Sequence, residues 1–566
     1  MTFSSLFPWR VAFAEAALSV VLSLSMAFIV PPARVSIAQD SALQHISLPL
    51  SPIEKAEKDG AAVRISLKDI TKLALQNNLD IAISDTNEEL YQQKLIQAYG
   101  PYDPTIAVGL GVQSTKQPNT NLTNRSTQGA SNKIDYANWN FKFTQYFPTG
   151  GGMMATYNSS RSDTNQAFAL FSPQYNASAT VQFLQPLRRN FRIDQYRGTI
   201  KLANLDLKTN DSQFRQRVTD TIASIQAQYW DLVAAIQDYE IKRESVKLAQ
   251  ITVWNNQKKV EFGTLAPIGI TEAQADKASR EVDLIVAEEK IYNVENALRA
   301  LISSDRYGEI WQKTIVPTET PDFKEYKVDL DQAIDTALKN RTELEQLEIK
   351  LKQTDIGYQY NKDQMKWQVD LVGSFGMVGV SGPQTYVTDP TTGQPTILID
   401  PSLVGGVGNA YKTLFSGGYT NWSVGFNVQI PLRNRSVEAQ LGQIKVQKRQ
   451  LLMNRKQIEQ SILVDIRNAV QHIETSRKAV ETAKVARELA RQQLDGEEQR
   501  FQAGLSENFR VLDRQRGLSS AQGIELQALI AYKKSIITLQ RAMNTLLESN
   551  DFEIAKSSAG NVAELK

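Results

Sequence analysis

The chain is 566 residues long, carries a net charge of +2, and contains no cysteine and only two histidines. The missing cysteines exclude disulfides, thiolate metal sites, cysteine nucleophiles and a lipid anchor on cysteine, and the near-neutral charge supplies no basic face for nucleic acid. A chain of this length ordinarily folds as roughly three or four globular domains, but its periodicity argues instead for long helices running through the molecule.

Residues 1–38 read as a secretory signal peptide. Arg10 follows a short start, Ala16–Val30 is almost wholly apolar, and Ser36-Ile37-Ala38 places small residues where a signal peptidase reads, with cleavage after Ala38. The apolar run is about 15 residues, short of the roughly 20 that a spanning helix needs, which favours a cleaved signal over a retained anchor. No apolar run of that length follows Pro31, so the mature chain would have to enter a membrane as β-structure. Residues 39–64 form an N-terminal linker.

Two repeats follow. In the first, residues 65–302, a helix runs over Ser66–Tyr99, capped by Ser66 and stopped by Gly100-Pro101. β-Segments then fill 104–187, a long helix spans 199–262, and a break at Gly263–Pro267 leads into a helix over 267–302. Residues 303–327, with Pro317 and Pro321, form a linker. The second repeat, residues 328–547, places a helix over Leu330–Lys366, β-segments over 369–430, a long helix over 437–501, a break at Gly504–Asn508 and a helix over 508–547. Residues 548–566 are a flexible tail. The duplication also shows in the residues: the stretch from Ile65 to Asn77 matches that from Val328 to Asn340, and Val181–Leu187 resembles Phe426–Leu432. At about 1.5 Å per residue the first long helix extends roughly 95 Å, and its two flanking helices match it when laid end to end.

The long helices carry heptad seams. Val218, Ile222, Ile225, Tyr229, Leu232, Ile236 and Tyr239 alternate spacings of four and three; Ile466, Ile473, Val480, Leu494 and Phe501 lie at multiples of seven, with Ala469, Ala483 and Ala490 beside them. An ordinary soluble coiled coil has the same signature. The β-segments point further. Ile106, Val108, Leu110 and Val112, then Trp139, Phe141 and Phe143, then Ala177, Ala179, Val181 and Phe183, then Trp422, Val424, Phe426, Val428 and Ile430 all alternate with small or polar residues. Such strands face lipid on one side and a wet lumen on the other, although a soluble sandwich with one buried face shares the pattern. One chain supplies four to six strands where a closed barrel needs at least about eight, so the barrel must be shared between chains. Phe147-Pro-Thr-Gly-Gly-Gly152 reads as the turn of an extra hairpin in the first half, which either joins the barrel or folds aside.

Together these features resemble the TolC family of outer-membrane efflux and secretion channels, over Ile65 to Leu547. The local matches are Ala74–Asn77 and Ala337–Asn340 (Ala-Leu-x-Asn), the strand-to-helix passages Gln185-Pro-Leu187 and Ile430-Pro-Leu432, and the breaks Phe262–Ile268 and Phe501–Leu505. The resemblance implies an α+β membrane protein with two internal repeats per chain. It implies a homotrimer, whose outer-membrane β-barrel is continued by a periplasmic α-helical barrel. It also implies a non-enzymatic exit duct, with no cofactor, for a tripartite efflux pump or type I secretion system, with a periplasmic adaptor, an inner-membrane transporter and outer-membrane lipid as partners. A non-inserted periplasmic coiled-coil scaffold or adaptor is the alternative reading.

The same resemblance makes the two breaks the periplasmic mouth. The adaptor-contact tips are Gly263, Thr264, Leu265, Ala266 and Pro267, and Gly504, Leu505 and Ser506. The family's constricting acidic pair falls on Arg510 and Asp513, so only Asp513 keeps the acid. Its mouth-locking pair falls on Gly269 and Ser506, which cannot form a salt bridge, and Phe501 stands where tyrosine is common. His45 and His472 read as ordinary polar positions, and no phosphate loop, metal cluster or nucleophile constellation is present in the sequence.

Overall fold

The computed structural model describes residues 49–119, 131–166, 169–384, 386–388, 395–397 and 399–550. The signal peptide expected at 1–38 and most of the tail at 548–566 lie outside them. The chain divides into two compact units, one of residues 90–208 and 348–452 and the other built from the remaining segments.

In chain order the elements are α1 (Pro52–Lys58), β1 (Ala62–Ile65), α2 (Leu67–Asn77), α3 (Leu79–Tyr99), β2 (Thr105–Pro118), β3 (Ser131–Tyr146), β4 (Gly152–Thr164), β5 (Gln174–Pro186), α4 (Gln195–Glu261), α5 (Ile268–Ile302) and β6 (Thr314–Pro317). The second half continues with α6 (Leu330–Asn340), α7 (Thr342–Gln364), β7 (Gln368–Ser381), β8 (Tyr386–Thr388), β9 (Pro395–Ile397), α8 (Val407–Phe415), β10 (Thr420–Gln429), α9 (Arg435–Gln502), α10 (Asn508–Ala542) and α11 (Leu546–Ser549). No helix among the described residues is long and apolar enough to cross a membrane.

Three expectations need correction. The helix expected over Ser66–Tyr99 is two helices, because Asn78 leaves the helical region (φ −71°, ψ 126°). Its side-chain oxygen caps the next helix by accepting from the Asp80 and Ile81 amides at 2.9 and 3.2 Å, and its amide donates to Leu301 O at 2.8 Å. The helix expected over Leu330–Lys366 breaks at Arg341 in the same way, with Arg341 Nε donating to Ala542 O at 2.7 Å. The last helix ends at Ala542 rather than 547, since Asn544 adopts φ 55° and a four-residue helix follows.

In the helical unit, the first seam is buried from Val218 through Tyr239 with Ile236 partly covered, and the second is buried at Ile466, Ile473, Val480 and Leu494 with Phe501 half-buried. The connector between the repeats is packed rather than loose. Its strand β6 pairs in parallel with β1, and two fully buried tyrosines hold it. Tyr229 of α4 donates to Glu319. Tyr532 of α10 donates to Lys324 O at 3.0 Å and accepts from the Tyr326 amide at 2.9 Å.

The other unit holds a six-stranded antiparallel sheet in the order β10-β7-β5-β4-β3-β2. The extra first-half hairpin, β3 with β4, is integral to it, paired over Ser131–Thr144 to β2 on one side and over Gly152–Ser162 to β5 on the other. The registers bring the apolar sets onto one face: Ile106 lies opposite Phe143, Phe143 opposite Ala155, Ala155 opposite Val181, Val181 opposite Phe375, and Phe375 opposite Trp422. The opposite face carries Gly109, Asn140, Asn158, Ser178, Gly376 and Asn421. On the apolar face much remains uncovered, with Val112 89% and Trp422 75% exposed.

The range expected to hold β-segments, 369–430, also contains the helix α8, Val407–Phe415. This helix lies on the apolar face, burying Ala410 and Leu414 against Ala177, with Tyr157, Tyr175 and Met377 around them. Tyr411 OH accepts from Trp139 Nε1 at 3.1 Å and lies 3.4 Å from Ser159 Oγ. Gly379 makes the contact possible, because a Cβ there would sit 2.0 Å from Ala410 O and 2.6 Å from Leu414 N, both backbone atoms. Gly379→Val is therefore expected to release α8 and render Val407–Phe415 susceptible to limited proteolysis, while Gly373→Val, which meets nothing within 4 Å, leaves it protected.

Candidate functional site at the two helix tips

The two breaks fold alike. Lys258 and Lys259 close α4 beside its partly negative end. Gly263 (φ 72°) then donates to Val260 O at 2.9 Å and Thr264 to Lys259 O at 2.8 Å. At the end of α9, Gly504 (φ 73°) donates to Phe501 O at 3.1 Å and Leu505 to Arg500 O at 2.8 Å. Each is a Schellman cap, whose glycine supplies the left-handed residue and whose bonds satisfy carbonyls the helix leaves open. Both glycines face open space, so conformation alone requires them.

The residues singled out from sequence divide into four groups. Gly263, Thr264, Ala266, Pro267, Gly504 and Leu505 are exposed, and Leu265 is half-buried. Gly269 and Ser506 are each engaged within their own tip. Gly269 is buried, its carbonyl accepts from Asn256 Nδ2 at 2.9 Å, and a Cβ on it would meet Leu265 Cδ2 at 2.9 Å. Ser506 donates to Glu497. Arg510 and Asp513 are both exposed on α10, without an ion-pair partner among the described residues. Phe501 is half-buried, and Lys259 Nζ sits 3.7 Å from its ring centroid, joining α4 to α9. Burial lowers the Lys259 pKa.

Sequence reasoning missed two features. Phe262, Ile268, Leu505 and Phe509 give each tip a pair of exposed apolar side chains, of which only Leu505 had been assigned a role. Behind the tips lies a buried charge cluster. Asp276 of α5 receives Arg516 Nε of α10 at 2.6 Å and pairs with Arg280 at 2.7 Å, the Asp276 and Arg280 side chains being 1% and 5% exposed. Arg280 also donates to Ser245 O and Oγ of α4, each at 3.1 Å, and to Gln515 Oε1 of α10 at 3.4 Å. Burial pulls the Arg280 pKa down against the pull of Asp276. It pushes that of Glu498 on α9 up, with a bond from Gln515 opposing. The cluster fastens the helices of the first repeat to those of the second. In the sequence, Asp276 and Arg280 look like any exposed pair four residues apart.

The model of the outer membrane efflux protein family matches residues 150–304 and 333–545. The chain belongs to the outer membrane efflux protein family. No curated protein matches the sequence. Among solved structures, the chain is similar to the CmeC outer membrane channel of Campylobacter jejuni, at 16% identity over 96% of this chain and 98% of that one, with a TM-score of 0.59. It is also similar to the outer membrane protein VceC of Vibrio cholerae, at 16% identity over 86% and 97% (TM-score 0.56). For the MtrE outer membrane channel of Neisseria gonorrhoeae the figures are 15% identity over 85% and 89% (TM-score 0.54). At these identities the likeness speaks for the fold. As a member of this family, the protein is an outer membrane efflux protein, and it shares the fold of the outer membrane channels above.

Proposed function

We propose that three copies of this efflux protein form a passive exit duct. Their sheets close one β-barrel in the outer membrane and their helices pack into an α-helical barrel in the periplasm. The duct serves a tripartite efflux pump or a type I secretion system, in which an inner-membrane transporter supplies the cargo and a periplasmic adaptor grips the tips. One observation carries this reading: a two-faced sheet, apolar on one side and polar on the other, is joined in the same chain to helix pairs that end in matched, capped tips. The exposed Phe262, Ile268, Leu505 and Phe509 suit the adaptor, since apolar groups on a rigid turn form a ready contact patch.

The duct is tested by fractionation and crosslinking. An oligomer recovered from the outer membrane, dissociating only on heating, and a crosslink from Leu505→Cys to an adaptor are the expected results; recovery solely as soluble periplasmic protein would sink the reading. Within the duct, Arg510 and Asp513 line the constriction, forming a ring closer to neutral than an acidic one. Asp513→Asn is then expected to change cation block or conductance in planar bilayers, and an unaltered channel would remove Asp513 from the pore.

A further inference from the structure

The six-stranded sheet ends on two edges, β2 and β10, that are unpaired among the described residues. Both are long, at 14 and 10 residues, and every residue of β10 is exposed. Sheet edges are ordinarily blunted by shortness, charge, proline or a covering element. Here the apolar face reaches both edges undiminished, through Ile106, Val108, Leu110 and Val112 on β2 and Trp422, Val424, Phe426 and Val428 on β10. Outside the patch that α8 covers, such a face belongs in lipid, where an unpaired row of backbone N–H and C=O groups cannot remain. Six strands are too few to close on themselves, since at least about eight are needed.

The direction of the strands names the occupant. Every neighbouring pair is antiparallel and the number of strands is even, so β2 and β10 run in opposite directions. The β10 edge of one copy therefore meets the β2 edge of the next in antiparallel register, with apolar residues on the same side of the wall. We infer that β2 and β10 are the seams between copies of this chain and that the β3–β4 hairpin is part of the wall, so that three copies close a barrel of eighteen strands. The number of copies rests on the duct reading above; the six strands per copy rest on the sheet itself.

The hairpin sets the width. With strands about 4.8 Å apart and tilted by about 40°, eighteen strands enclose a backbone cylinder about 36 Å across, whereas the twelve left without β3 and β4 enclose about 24 Å. The lumen face carries short polar residues such as Asn138, Asn140, Asn158, Ser178 and Ser374 beside larger ones such as Tyr136 and Leu184, and Lys142 and Asp370 are its only charges on the six strands. An α-helix with its side chains is about 10–12 Å thick. The wider outlet has room for two such helices side by side, where the narrower one has room for one.

The test uses the full-length protein extracted from outer membranes in detergent. Its mass gives the copy number, and cryo-electron microscopy gives the strand number and diameter. Three copies with eighteen strands and a cylinder near 36 Å are expected. Three copies around a twelve-strand wall, with β3 and β4 outside it, would overturn the inference and leave the duct standing; any other copy number, or a protein that never enters the membrane, would overturn the duct as well. Cysteine probes supply a second reading, because the chain has no cysteine of its own. A membrane-impermeant maleimide should label Asn140→Cys and Asn158→Cys and spare Phe141→Cys and Ala155→Cys. Equal labelling of all four would place the hairpin outside the wall.

Discussion

Asp276→Ala is expected to cost about 3–5 kcal/mol, the usual penalty for removing one partner of a buried ion pair. The loss exceeds that of a single contact because two guanidiniums converge on this carboxylate: Arg280 at 2.7 Å and Arg516 at 2.6 Å. Without it, Arg280 keeps its burial against Ser245 and Gln515 but faces a like charge instead of an opposite one. The control removes the charges together. A triple variant with Asp276→Leu, Arg280→Met and Arg516→Met should recover most of the loss, since apolar groups of similar volume often replace buried ion pairs without penalty. Denaturant unfolding of the full chain measures both, and a single variant as stable as the parent would show that the cluster does not hold the repeats together.

The second large effect concerns the two faces of the sheet. Val181→Arg should cost about 2–4 kcal/mol per chain in the membrane, the depth-dependent penalty for a cation on the lipid face of a barrel, whereas Gln182→Arg on the lumen face should be tolerated. The pair is informative because both residues are exposed and adjacent on β5. Ordinary burial therefore does not distinguish them, and only the side of the wall does. The outer-membrane level and heat resistance of the oligomer check this. Equal tolerance at both positions would mean that the apolar face does not meet lipid.

The sequence carried the two-faced strands and the long helices because each rests on a period, and a period survives without knowledge of what lies opposite. Val181, Phe183, Trp422 and Val424 show their face through alternation alone. The break at Asn78 was obscured because a helix resumes directly after it, at Leu79, with no glycine or proline to mark the interruption. The decisive contacts, to the Asp80 and Ile81 amides and to Leu301, become visible only once α5 is in place. Helix α8 was hidden for a similar reason. Val407–Phe415 is short and contains Gly408, and it is held by packing on Gly379 and Ala177 rather than by its own propensity. At the tips, the glycine caps were legible from Gly263 and Gly504. The stacking of Lys259 on Phe501 was not, because these residues are 242 positions apart and the signal of each alone is that of a surface side chain.

The two open edges also bear on biogenesis. With β2 and β10 unpaired, a single newly exported chain has no route into lipid, because its exposed backbone groups would each forfeit hydrogen bonds to water with nothing in return. On the closure proposed here, insertion and oligomerisation become one event, and the rate of insertion rises steeply with the concentration of waiting subunits. A chain altered at one edge could still join a neighbour through the other and stall it, so that a minority of such chains would block assembly of the intact majority.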